Sequence, residues 1–351
     1  MLSAGEVFAG RYRILEHLAQ GGMGIIYAAE HLATEEQVAL KVLWPQVLGS
    51  RAAVESFQLE AKLANRVGSE HVVRVLDAGL DERTGMPFLA MELLRGATLR
   101  ALVTKQGALS APQTIVIARQ AAKALDKAHG YVGRDGRVSP IVHRDLKPEN
   151  VFVALREGAA MVKVLDFGIA KVMSETTELS QEVRGTPLFM AYEQFTKGPI
   201  TPRIDVWALG LIVFYLLTGR KYWLASAQGA AGFAPLLSEI LTQPFAPPSE
   251  RAPALGFTAS LPAAFDEWFL QCVNRRPEAR FASAGAAAAA LESALTFGAK
   301  LGKSDVVTAR AELTRRVSLL LGPSRAADPP IESTSLSLED SAMSVASAEV
   351  M

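Results

Sequence analysis

The sequence predicts an α+β fold, in which a small lobe rich in β-strands precedes a larger lobe built mainly of helices. Five short runs with strand-like polarity surround a single helical pattern before residue 95, whereas long helical patterns recur after it. The composition changes again after residue 297. We therefore predict one domain over residues 11–297, with lobes at 11–94 and 95–297. An extra helical segment at 298–322 and a disordered Ser-rich tail at 323–351 follow it.

The small lobe is predicted from alternating polarity. Its first two strands flank the Gly-rich turn AQGGMG, which is typical of a hairpin. Apolar residues at helical spacing predict one helix over Val54–Val67. The five predicted strands are Arg11–Leu18, Gly24–Leu32, Glu36–Leu43, Val72–Ala78 and Pro87–Leu93.

The large lobe is predicted to be mainly helical. Its longest pattern, Ala111–His129, is Ala-rich and amphipathic. Two short apolar strands, Val151–Ala154 and Val162–Leu165, bracket the sequence REGAA. Further helices are predicted at Val206–Thr218, Pro235–Thr242, Ala263–Val273 and Ser283–Leu295.

One more helix is predicted at Asp305–Leu321, capped by Ser304 and ended by Gly322-Pro323. Its apolar stripe leaves two alternatives open: the 305–321 helix packs on the domain itself, or it binds a regulatory partner. The stripe consists of Val306, Ala309, Leu313, Val317 and Leu320. The tail that follows is rich in Ser and small residues and has few aromatics, which predicts disorder.

Composition excludes several classes of protein. Lys plus Arg and Asp plus Glu both number 36, so no basic surface for nucleic acid is expected. The longest apolar stretch, Val206–Leu217, is shorter than the roughly 20 residues of a membrane-spanning helix. A single cysteine, Cys272, and the lack of a secretory signal favour the cytoplasm.

The strongest chemical signal is the string HRDLKPEN, from His143 to Asn150, followed by DFG at residues 166–168. Phosphoryl transfer needs a carboxylate near the attacking hydroxyl and cations that neutralise phosphate oxygens. Asp145, Lys147, Asn150 and Asp166 supply these groups at a spacing that chance does not explain.

A second signal lies in the small lobe. Lys41 stands on the strand VALKVL and precedes the helix that carries Glu60, a suitable ion-pair partner. A lone Lys on a strand is usually solvated, but this one follows a Gly-rich turn placed between two strands. Glycines in such a turn allow backbone N–H groups to approach phosphates closely.

Together these residues resemble the signature of the protein-kinase superfamily. The chain is most similar to bacterial, eukaryotic-like Ser/Thr kinases, in which GGMG, the pattern MELL-x-G-x-TL and an ending of the type R-x-E-A-R-F recur. The resemblance covers residues 11–297. It implies the bilobal protein-kinase fold and transfer of the γ-phosphoryl group of ATP to Ser or Thr hydroxyls of proteins, including the chain itself.

The resemblance also implies catalytic roles. Asp145 would accept or orient the substrate hydroxyl, and Lys147 would hold the γ-phosphate. Asn150 and Asp166 would bind two Mg²⁺ ions, with Mn²⁺ as an alternative, since oxygen donors suit hard cations.

The nucleotide site is implied in the same way. Lys41, paired with Glu60, would contact the α- and β-phosphates, and the backbone of Glu92 and Leu94 would bond to the adenine. The cofactor-binding residues implied are Gly21, Gly22, Gly24, Ile26, Ala39, Lys41, Glu92, Leu94 and Phe152.

Two departures from the family pattern leave alternatives open. Ala19 replaces the first glycine of the turn, and Tyr192 replaces the proline before Glu193, which should pair with Arg280. A pseudokinase scaffold is one alternative, although the Lys, base and metal ligands are retained. A small-molecule kinase is the other, and Thr186 with the Glu193–Arg280 anchor argues against it.

Overall fold

The computed structural model describes residues 1–21, 24–44, 65–133, 135–166, 187–227, 233–297 and 301–322. Most of the helix expected at Val54–Val67 and the whole tail expected at 323–351 lie outside these residues. The described chain forms a β-rich small lobe and a helical large lobe, as the sequence predicts.

The small lobe is a six-stranded antiparallel sheet with strand order β1-β2-β3-β4-β6-β5. Its strands are β1 (Val7–Phe8), β2 (Tyr12–Gln20), β3 (Gly24–His31), β4 (Gln37–Leu43), β5 (Val75–Leu80) and β6 (Pro87–Glu92). The last five match predicted strands within a few residues. β1 was missed because two residues show no alternation, yet its Phe8 is buried and packs edge-on against Phe88.

The large lobe contains ten helices within the described residues. They are α1 (Leu99–Gln106), α2 (Ala111–His129), α3 (Tyr192–Phe195), α4 (Arg203–Thr218), α5 (Leu224–Ala227), α6 (Phe233–Leu241), α7 (Pro248–Ala254), α8 (Ala263–Cys272), α9 (Ala284–Leu295) and α10 (Lys303–Leu321). Helix α2 has the predicted bounds because Ser110 and Gln113 form a capping box at its start. Helix α4 is buried along almost its whole length and forms the centre of the lobe.

A second, three-stranded sheet lies in the large lobe beside the junction of the lobes. Its strands are β7 (Gly96–Thr98), β8 (Val151–Arg156) and β9 (Ala159–Val164), in that order. β8 and β9 extend into the sequence REGAA, which the two predicted strands only bracketed. Glu157 and Gly158 adopt φ of 51° and 77°, a left-handed pair that makes the connection a tight hairpin turn. Among the described residues, no helix is both long and apolar enough to cross a membrane.

The C-terminal helix α10 packs on the large lobe. Ala309, Leu313 and Val317 of the predicted stripe are buried in its core. Polar contacts fix the helix further, since Arg316 donates from its two terminal nitrogens to the carbonyls of Gln106, Gly107 and Ala108 at 2.9–3.1 Å. The buried residues of the stripe thus pack on the domain itself, and a regulatory partner of this helix stays a prediction.

Replacing Arg316 with Ala should lower the free energy of unfolding by about 1–2 kcal/mol, because charge-assisted hydrogen bonds to the end of α1 are lost. Chemical denaturation measures the change. Arg315→Ala is the matched control: its side chain pairs with exposed Glu312 of the same helix, and the stability should stay nearly unchanged. Equal losses in the two variants would show that Arg316 does not fix α10 to the lobe.

Candidate active site

The loop of residues 143–150 is held by two helices. Asp205, fully buried in the first turn of α4, accepts hydrogen bonds from the backbone nitrogens of His143 at 2.8 Å and Arg144 at 3.0 Å. The N-terminus of a helix favours such a carboxylate. Nε2 of His129, the last residue of α2, lies 2.7 Å from the same carboxylate. The loop geometry is therefore set by the buried core of the large lobe.

Three predicted site residues meet on this loop. Lys147 Nζ lies 2.6 Å from Asp145 Oδ2, and Asn150 Nδ2 donates to the Asp145 carbonyl oxygen at 2.9 Å. Asp145 and Lys147 each keep 28% of the side-chain surface exposed. A carboxylate held in this way can accept a hydrogen bond from a hydroxyl that enters from solvent, with an ammonium group beside it.

Lys41 and Asp166 form an ion pair across the lobes. Lys41 on β4 places its Nζ 2.9 Å from Asp166 Oδ1, just beyond β9. Burial alone would raise the pKa of Asp166, but attraction to Lys41 and a hydrogen bond from it hold that pKa below its ordinary value. Asp166 is therefore ionised at neutral pH.

The donor groups of Asn150 and Asp166 fit a divalent cation. Asn150 uses its Nδ2 toward Asp145, which leaves Oδ1 as the atom that can face a metal. The backbone nitrogen of Leu165 donates to the Asn150 carbonyl oxygen at 2.8 Å, so Asp166 follows directly on a residue bonded to Asn150. An ionised carboxylate and an amide oxygen are ligands that Mg²⁺ and Mn²⁺ accept.

Apolar residues on both lobes remain partly exposed where the core ends. In the strand pairing, Ile26 lies opposite Lys41, and Ala39 lies opposite buried Met91. Leu94 follows β6, and Phe152 is on β8. Ile26, Ala39 and Phe152 are only partly buried, although the residues on either side of each in its strand are buried, and Leu94 is also partly buried. They offer apolar surface of the kind that a flat aromatic ring requires.

The two described glycines of the Gly-rich turn differ in environment. A Cβ at Gly21 would meet no atom within 4 Å, so the turn leaves open space there. A Cβ at Gly24 would lie 2.1 Å from the Val42 carbonyl oxygen. Gly24 is thus required by the close approach of β3 to β4, a reason that the sequence did not indicate. Ala19 is on β2 and pairs with Ile26.

The segment between the lobes is fixed by contacts that sequence reasoning missed. Lys163, a buried residue of β9, places its Nζ 2.6 Å from Glu92 Oε1 at the end of β6. The backbone nitrogen of Arg74 donates to the same carboxylate oxygen at 2.8 Å. Lys163 and Glu92 are 71 residues apart, and an apolar strand with one Lys gives no local signal of a partner.

The anchor expected below the cleft is present. Glu193 on α3 and Arg280 form two hydrogen bonds, of 2.8 Å and 2.6 Å, and both side chains are buried. The neighbouring Gln194 donates from Nε2 to the Arg144 carbonyl oxygen at 2.9 Å. The anchor is therefore connected to the loop that carries Asp145.

Several predicted residues lie outside the described part of the chain. These are Gly22, Glu60, the Phe and Gly of the DFG string, and Thr186. Within the described residues, Lys41 pairs with Asp166, and the expected pair with Glu60 stays a prediction.

Comparisons with known proteins agree with this geometry. The family model described as "Protein kinase domain" matches residues 12–291. Serine/threonine-protein kinase Pkn1 of Myxococcus xanthus is 37% identical over 292 residues, which cover 82% of this chain and 39% of that protein. Serine/threonine-protein kinase PknH of Mycobacterium tuberculosis is 33% identical over 328 residues, which cover 93% of this chain and 47% of that protein. The chain thus spans about half or less of the length of these relatives.

A solved structure is similar as well. The Mycobacterium tuberculosis PknI kinase domain aligns with a TM-score of 0.60 and 26% identity, over 83% of this chain and 98% of that one.

Proposed function

Since this chain belongs to the protein kinase family, whose model matches residues 12–291, we propose that it transfers the γ-phosphoryl group of ATP to Ser and Thr hydroxyls of proteins. The main support for the proposal is that the predicted catalytic loop and an ion pair between the lobes are connected. Asp145, Lys147 and Asn150 lie on one loop, and the Lys41–Asp166 pair is joined to it through Leu165 and Asn150.

The role of each group follows from its charge and exposure. Asp145, half-buried beside Lys147, orients the acceptor hydroxyl and accepts its hydrogen bond. Lys147 offsets the negative charge that builds on the transferred group. Bound ATP supplies the phosphoryl group, and Mg²⁺ held by Asn150 and Asp166 would neutralise its oxygens. Lys41 then supplies a second cation next to Asp166.

The apolar residues between the lobes would bind the adenine. Ile26 and Ala39 from the small lobe, with Phe152 from the large lobe, present partly exposed apolar surface to a flat ring. The backbone of Glu92 and Leu94 would bond to the ring edge, and Lys163 positions Glu92 for this. Gly21 leaves space for the phosphates.

We propose a kinase domain over residues 11–297, with 298–322 as an attached helical segment. Protein substrates follow from the family, and autophosphorylation is part of the proposal. We also propose that the domain works in the cytoplasm, because the reaction consumes ATP. A regulatory partner of the 305–321 helix would have to use its exposed face, which includes Val307 and Leu319.

Incubation of the purified chain with γ-labelled ATP and a generic acceptor protein tests the proposal. Label should enter protein with Mg²⁺ or Mn²⁺ and should not do so with EDTA, because the phosphate oxygens then lack their cations. A pseudokinase would bind nucleotide without transfer, and a small-molecule kinase would leave protein unlabelled.

A further inference from the structure

We propose that Arg100 selects the acceptor: it binds a carboxylate side chain that lies about two to four residues from the phosphorylated hydroxyl along an extended peptide. This inference rests on the proposed kinase function. It assigns the substrate class as proteins with Asp or Glu near the accepting Ser or Thr.

Arg100 lies at the edge of the candidate active site. It stands in the first turn of α1, and its Nη1 is 2.6 Å from Oε1 of Glu149. Its backbone nitrogen also donates to the Pro148 carbonyl oxygen at 3.1 Å. Glu149 directly precedes Asn150, which bonds to Asp145. The guanidinium is therefore attached to the same loop as the predicted catalytic residues.

The two partners of the Arg100–Glu149 ion pair differ in their exposure to solvent. Glu149 uses Oε1 for Arg100, and its Oε2 is buried without a hydrogen-bond partner among the described residues. The Arg100 side chain is 55% exposed and has five N–H donors, of which Nη1 is used for Glu149. A peptide that passes this point meets a guanidinium with free N–H donors, whereas Glu149 is less exposed, at 36% of its side chain, and one of its two oxygens is buried.

The distance from the reacting group fits a neighbouring peptide residue. Four chain steps separate Asp145 from Glu149, which limits their separation to about 15 Å. An extended peptide advances about 3.3 Å per residue. The Arg100 side chain and an acidic side chain of the peptide together span the gap between the kinase backbone and the peptide backbone. A carboxylate about two to four residues from the accepting hydroxyl therefore reaches Arg100.

The effect on selectivity should be moderate, because the guanidinium is half-exposed and screened by salt. Exposed ion pairs of this kind correspond to about a two- to fivefold change in kcat/KM. The preference should also decline as the salt concentration rises.

The test uses matched acceptor peptides with Asp, Asn or Lys placed two, three or four residues on either side of one Ser. At one of these positions at least, the natural chain should phosphorylate the Asp peptide with a kcat/KM about two- to fivefold above that of the Asn peptide. The Lys peptide should give the lowest kcat/KM. Arg100→Ala should remove the preference for the Asp peptide. It should also expose Glu149, so that the Lys peptide then has the highest kcat/KM. Glu149→Gln should keep or increase the preference for Asp.

Arg315→Ala is the matched control, since it removes an exposed, paired Arg from α10, and the Asp-to-Lys ratio should not change. Anisotropy of labelled peptides with a non-hydrolysable ATP analogue gives the same ratio from Kd, so turnover is not required. The proposal is overturned if the natural chain prefers Lys, or if Arg100→Ala leaves the ratio unchanged and merely lowers Tm, as a structural pair would. Failure of the kinase proposal looks different: no peptide or protein is labelled at all.

Discussion

Replacing Asp145 with Asn should lower kcat by about 100-fold or more and leave the fold intact. The substitution keeps the size of the side chain but removes the charge that orients the acceptor hydroxyl, and a positioned acid–base group contributes about 10²–10⁴-fold. The loop itself should persist, because Asp205 holds its backbone and Asn150 bonds to the backbone carbonyl of residue 145, which the substitution does not alter.

Initial rates with saturating ATP and an acceptor protein measure the loss, and thermal unfolding checks the fold. Asp135→Asn is the control, because it makes the same change at an exposed loop carboxylate. Both variants should have the same Tm as the natural protein. Normal transfer by the Asp145→Asn protein would show that this carboxylate has no catalytic role.

Replacing Glu193 with Gln should lower the free energy of unfolding by about 3–5 kcal/mol, since a buried charge then loses its partner. The Arg280 side chain cannot move to water easily. It also donates to the carbonyls of Asn274 and Arg203, and its guanidinium lies 4.9 Å from the centre of the Trp207 ring. Activity should fall with stability, because the adjacent Gln194 holds the Arg144 carbonyl.

Urea denaturation gives the change in the free energy of unfolding. Glu30→Gln is the control, because Glu30 forms an exposed ion pair with Arg13 at 2.8 Å, about as short as the buried pair. It should lower the free energy of unfolding by less than about 1 kcal/mol. A similar small cost for Glu193→Gln would mean that the buried pair is not an anchor of the large lobe.

Local patterns predicted much of the fold. Helix α2 was located at both ends from its Ala-rich amphipathic pattern, and α4 was recognised from an uninterrupted apolar run. β7 was missed because three residues that begin with Gly resemble a loop. It forms a strand because Gly96 lets the chain approach β8: a Cβ there would lie 2.1 Å from the Val153 carbonyl oxygen.

The residues of the candidate site were predicted from the sequence, but the contacts that hold them were not. Asp145, Lys147 and Asn150 were found because they are close in sequence and share one motif. The contacts that fix them join distant residues: His129 with Asp205, and Lys163 with Glu92. Such pairs form only when distant elements pack together, within the large lobe for His129 and Asp205 and between the lobes for Lys163 and Glu92, and a single His or Lys gives no local indication of the partner it meets.

The proposed function requires that this chain phosphorylates proteins on Ser and Thr. The most direct test is phosphoamino-acid analysis of acceptor protein after incubation with the purified chain, γ-labelled ATP and Mg²⁺, with the Asp145→Asn variant in parallel. We expect phosphoserine and phosphothreonine with the natural chain and neither with the variant. If the folded chain binds ATP but leaves the acceptor protein unlabelled, or if label is confined to tyrosine, the protein is not a Ser/Thr protein kinase.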